Sequence, residues 1–164
     1  MKKIQVGIGM DNVKVFQRVD TDAEHIHCSR EALADAISRI TVGAAPFSRH
    51  TISLDHVVGH DRCVKVAPED KIVMWQRPGR SGKTPMFASA KSQVETKDVN
   101  VVLCFDNEEL CEYVVITAFT GVDAPQEPWD PRVRNLEFST KFWAEHALVP
   151  TEEEISLMKA EGIL

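Results

Sequence analysis

Two apolar runs close together constrain this chain most: "VNVVLCF" (99–105) and "EYVVITAF" (112–119). Both are rich in β-branched and aromatic residues, the types that suit a pleated, half-buried surface. Only the short polar stretch "DNEEL" and one cysteine separate them. Such a connection predicts an antiparallel hairpin. A β-sheet therefore belongs at the centre of the fold.

The remaining pattern fills in around it. "IQVGI" (4–8) and "VKVFQRV" (13–19) alternate as short strands. "SREALADAISRI" (29–40) reads as a helix: Ser29 can cap it, and Leu33, Ala36, Ile37 and Ile40 fall on one face. Gly43 is expected to help end it. Further strand texture follows in "HTISLDHVV" (50–58), "RCVKV" (62–66), "KIVMWQ" (71–76) and "PMFAS" (85–89). Residues 120–135 hold three prolines and a tryptophan and read as a loop. "STKFWAEHAL" (139–148) predicts a helix begun by Ser139 or Thr140 and stopped by Pro150. "TEEEISLMKAEG" (151–162) predicts a short terminal helix, with Thr151 and Glu154 at capping-box spacing and Gly162 at its end. A helix, a meander of strands, then terminal helices make an α+β fold with a central, mostly antiparallel sheet. At 164 residues the expectation is a single α+β domain over 1–164.

No run of about 18 apolar residues exists, so no membrane partner is expected. The N-terminus, "MKKIQVGIGMDN", lacks the long apolar stretch of a secretion signal. The four cysteines (28, 63, 104, 111) show no C-x-x-C spacing and read as reduced thiols of a cytoplasmic protein. The net charge of −6 conceals an asymmetry. Residues 49–97 carry nine bases against five acids, whereas residues 98–164 carry four against fourteen. A basic middle can meet an anionic partner such as RNA or another phosphate-containing ligand, or it can pair with the acidic C-terminal third.

Within that middle lies "RPGRSGKTPMF" (77–87). Gly82-Lys83-Thr84 has the ending of a phosphate-binding P-loop, but the first glycine should stand at 77, which is Arg. Pro85 also pushes Thr84 away from the helical geometry such a loop requires. The stretch is instead a glycine-rich basic turn between two strands. Arg77, Arg80, Lys83 and Thr84 are its candidate substrate-binding residues, with Trp129 of "EPWDP" as a wall of the same pocket or a pin for its loop.

Three histidines, His50, His56 and His60, lie within eleven residues. If that run is one strand they share parity and one face. Histidine titrates near neutrality and suits either proton role in cleaving RNA through its own 2′-hydroxyl, chemistry that needs no metal and no cofactor. His50 and His56 are the candidate proton-transfer residues, arginine and lysine the phosphate partners, and Thr117 a candidate catalytic hydrogen-bond donor. The same histidines, beside Asp55, Asp61 and Cys63, could alternatively hold zinc for a hydrolase.

"RPGRSGKTPMF", "YVVITAFTGVDAPQEPWDP" and "FSTKFWAEHAL" together resemble a family of uncharacterised bacterial proteins of similar size. More loosely, the order of helix, histidine, basic strand pair and "TAF" strand is similar to the small metal-independent ribonuclease toxins of the barnase, colicin and RelE type. That resemblance implies a histidine, an arginine or lysine, and a serine or threonine acting on RNA from an antiparallel sheet. The matching positions are His50 or His56, Arg80 or Lys83, and Thr117. The chain departs from those toxins in being acidic. Three readings stand at this point: RNA cleavage or phosphate recognition, a non-enzymatic protein-interaction module, and a zinc-dependent hydrolase.

Overall fold

The apolar hairpin forms, and the rest of the chain is arranged around two cores. The computed structural model describes residues 2–19, 25–79 and 84–164. In chain order its elements are β1 (Lys3–Ile8), β2 (Lys14–Arg18), β3 (Ile26–His27), α1 (Arg30–Ser38), β4 (Phe47–Ser53), β5 (Gly59–Asp61), β6 (Cys63–Lys65), β7 (Val73–Met74), β8 (Met86–Phe87), β9 (Val94–Thr96), β10 (Asp98–Asn107), β11 (Glu112–Thr120), α2 (Leu136–Glu145), β12 (His146–Leu148) and α3 (Glu152–Ala160). The fold is α+β. Contacts group the chain into two units, one of Met1–His60 with Glu95–Asp123 and one of Asp61–Val94 with Ala124–Leu164.

The first unit is a mixed sheet in the order β1-β2-β11-β10-β4, with β3 also paired to β11. The pairs β1/β2, β10/β11 and β10/β4 are antiparallel, whereas β2 and β3 run parallel to β11. One face carries Val15, Val99, Val101, Leu103, Tyr113 and Val115, in one core with Leu33, Ala36 and Ile37 of α1 and Ile40 just beyond it. Ser29 caps α1 as expected, its Oγ accepting from the Ala32 N–H at 3.1 Å. The helix ends at Arg39, not at Gly43. The Ile40 carbonyl turns away to accept from Met10, and Gly43, at φ +77°, donates to Asp11 instead.

The second unit holds a small sheet in the order β6-β12-β8-β7 and a core of Trp75, Phe87 and Met158. Helix α3 begins with the expected capping box: Glu154 N–H donates to Thr151 Oγ1, and Thr151 N–H donates back to the Glu154 carboxylate. Helix α2 departs from expectation at both ends. Asn135 caps it, accepting from Phe138 N–H at 3.0 Å, because Ser139 is buried and donates to the Gln126 carbonyl. Its last expected turn, His146–Leu148, is instead strand β12, antiparallel to β6 and parallel to β8. Pairing on both sides outweighs the helical preference of three residues.

Candidate functional site

The histidine row does not form. Strand β4 spans Phe47–Ser53, so the expected run of 50–58 is cut at its middle. Ser53 pairs with Asp98, the last registered pair of β4 with β10; the Leu54 N–H still donates to the Lys97 carbonyl, and the chain then leaves the strand until β5 pairs with β9. His56 therefore lies in a bend, and His60 on β5. Among the described residues no group of three or more His, Cys, Asp or Glu is placed to hold a metal ion. The shared-face geometry behind the zinc reading is thereby removed.

The sheet register of the first unit sorts the remaining candidates. Directly opposed residues on neighbouring strands stand on the same face. Val101 opposes both His50 and Ala118, and it lies in the core against α1. Its neighbour Val102 opposes Arg49 and Thr117. His50 and Thr117 thus stand on opposite faces of the sheet. His50 is half-buried on the helix side, its Nε2 2.9 Å from Ser48 Oγ, and burial holds its pKa below the usual histidine value.

The other face assembles a different group. Arg49 and Thr117 lie on it two strands apart, about 10 Å at ordinary strand spacing. His27 opposes Phe119, two residues beyond Thr117, and so joins the same face. Both His27 and the neighbouring His25 are exposed. Thr117 Oγ1 donates its single hydrogen to the His25 carbonyl at 2.8 Å. That bond ties the histidine-bearing segment to the central hairpin, so the hydroxyl acts as a clamp and not as a donor to a ligand. Arg49 is anchored by Asp123, with contacts of 2.8 and 3.0 Å from Nη2 and 3.3 Å from Nε. Half of the Arg49 side chain remains exposed.

A buried polar network supports the same face. Thr51 Oγ1 donates to Asn100 Oδ1 at 2.7 Å, and Asn100 Nδ2 donates to the Gly121 carbonyl at 2.6 Å. Asn100 is only 2% exposed, so losing either partner would strand a polar group out of water. Together these bonds set the exit of β11 and with it Asp123, the counter-ion of Arg49. "HIH" (25–27) and Arg49 were legible in the sequence as polar residues only. Nothing local says that they share a face, because that follows from pairing across four strands.

The candidate binding residues belong to the second unit. Arg80 and Lys83 lie outside the described residues. The flanking strands β7 and β8 pair antiparallel. Trp129 reaches this hairpin: its Nε1 donates to the Thr84 carbonyl at 3.0 Å. The proline-rich loop is thus pinned to Thr84, two residues before β8. Arg77 turns to α3, with Nε 2.9 Å from Glu154 Oε2 and its guanidinium 5.5 Å above the Phe87 ring. Arg62 pairs with the other oxygen of the same carboxylate. Part of the basic middle therefore answers the acidic C-terminal third, through Arg62, Arg77 and Glu154.

Comparison of the chain with protein-family models, with curated proteins and with solved structures finds no match in any of the three. The functional reading therefore rests on the geometry of the chain alone.

Proposed function

We propose that this protein cleaves RNA through its own 2′-hydroxyl, using the face of the first unit's sheet that bears His27, Arg49 and Thr117. The observation that carries the reading is the register that gives these three residues a common face, with His25 beside them. In the reaction the 2′-oxygen attacks phosphorus, a P–O2′ bond forms and the P–O5′ bond breaks. One of His25 and His27 takes the 2′-hydroxyl proton, and the other gives a proton to the leaving 5′-oxygen. Arg49 offers its guanidinium fork to the non-bridging oxygens as negative charge builds on them. Thr117 is a positioning residue, holding the histidine segment against β11.

The test is cleavage of a short fluorogenic RNA in EDTA, with a DNA of the same sequence as control. RNA cleavage that His27→Ala and Arg49→Ala each reduce by about 100-fold or more, with folding intact, is the expected result. His50→Ala, on the other face, leaves the rate within about twofold. Cleavage of the DNA, or full activity in His27→Ala, overturns the reading.

A further inference from the structure

The two edges of the first unit's sheet are finished differently. At one, β1 carries a register shift between Gln5 and Gly7, the kind of irregularity that spoils an edge for further pairing. At the other, β4 (Phe47–Ser53) is matched to β10 residue by residue along its whole length, with no shift and no proline. Its one charged residue, Arg49, is already paired with Asp123.

The ladder shows which groups of β4 are unpaired. At its two ends the Leu54 N–H donates to the Lys97 carbonyl, and the Pro46 carbonyl accepts from the Phe105 N–H. Both bonds join directly opposed residues of the register that runs through β4. Such hydrogen-bonded pairs alternate along an antiparallel ladder, so Ser48, His50 and Ile52 turn their main chain to β10. Phe47, Arg49, Thr51 and Ser53 turn theirs outward. All four are exposed, and among the described residues none of their main-chain N–H or carbonyl groups has a hydrogen-bond partner.

We propose that β4 pairs antiparallel with β4 of a second copy of this chain, about a two-fold axis at His50. The strand's own sequence selects a copy of itself. Around that axis Phe47 opposes Ser53, Arg49 opposes Thr51 and Ile52 opposes Ser48, so each of these pairs sets a large side chain against a small one. The four outward residues then form hydrogen-bonded pairs with about eight main-chain bonds between the copies. Sliding one strand by a pleat loses one of these pairs, and in one direction it sets the two Arg49 side chains directly opposite, which is unfavourable. In the two-fold register each Arg49 keeps its own Asp123, so no unmatched charge enters the seam. His50 faces His50 of the other copy. Burial holds its pKa below the usual histidine value, so the two rings meet largely uncharged at neutral pH.

The proposal is independent of RNA cleavage and is tested by association. Sedimentation velocity of the full chain at neutral pH, from about 1 to 200 μM, is expected to show a monomer–dimer equilibrium. Ser53→Pro removes an outward N–H and puts a ring into the seam, but leaves the bonds from β4 to β10 in place. With its circular dichroism unchanged, it should dimerise about tenfold more weakly or worse. Cysteine trapping tests the register, in a Cys111→Ser background that removes the exposed thiol. His50→Cys lies on the axis, opposite its copy and within disulfide reach, and should give a covalent dimer on mild oxidation. Ser48→Cys, about 13 Å from its copy along the strand, should not. A protein that stays monomeric to about 200 μM leaves this edge to water or to a strand of another protein, and overturns the proposal. So does a dimer that Ser53→Pro leaves intact, or a His50→Cys protein that crosslinks no better than Ser48→Cys.

Discussion

Thr117 and His25 are 92 residues apart, yet the threonine hydroxyl reaches the histidine carbonyl at 2.8 Å. The bond links the centre of the sheet to the segment that carries two exposed histidines. Thr117→Val keeps the shape and removes the donor. A loss of about 1 kcal/mol in stability is expected, measured by urea unfolding. RNA cleavage should fall more steeply than stability, and Thr117→Ser should restore both. A valine variant with unchanged cleavage would show that the clamp does not position the histidines.

Gly7 lies where β1 meets α1. A Cβ built there would stand 2.9 Å from Ile37 Cβ and Cγ2, closer than side chains approach in folded proteins. Strand and helix must then separate, or Ile37 must leave its place in the core. Gly7→Ala is expected to cost about 1–3 kcal/mol. Equilibrium denaturation measures it, and a neutral result would mean that α1 can shift without loss.

Asp106, one residue before the end of β10, meets two cations, Lys3 at 2.6 Å and Arg18 at 3.2 Å. The Lys3 hydrogen bond foremost, aided by Arg18 against the cost of burial, holds its carboxyl below the usual aspartate range. A depressed folded pKa means a contribution that is complete above the unfolded value of about 3.9 and is lost as pH falls through the lower, folded one. Asp106→Asn should be less stable than the unaltered protein at neutral pH, and the two unfolding curves should converge well below about pH 3.9. A constant difference down to acid would mean that the pair contributes by shape and not by charge.

Cys63 and Cys111 should differ sharply in reactivity. Burial, with the charge of Asp61 adding to it, pushes the Cys63 thiol up to about 12. Cys111 is exposed at the tip of the central hairpin. Iodoacetamide applied near pH 8 should label Cys111 in the folded protein and reach Cys63 only after denaturation, as read by peptide mass mapping. Labelling of Cys63 under native conditions would show that the β6 region opens readily.

Features that depend on residues near one another in the chain could be read directly. The capping box of Thr151 and Glu154, the Ser29 cap and the β10–β11 hairpin all rest on spacings of a few residues, and all formed. Features that depend on a partner strand could not. A one-residue slip in pairing register moves every side chain of a strand to the other face. The row of His50, His56 and His60 required a strand through residue 58, and the partner of β4 ends its pairing at Ser53.

What the sequence by itself determined is the class of fold, its apolar hairpin and the capped helices, because periodicity and capping are local. What only the tertiary structure decided is which charged residues meet. It put Thr117 and Arg49 on one face with His27, His50 on the other, and Arg62 and Arg77 on a single carboxylate of α3. Those meetings follow from strand register and from the packing of segments distant in the chain, and neither leaves a mark in the residues beside them.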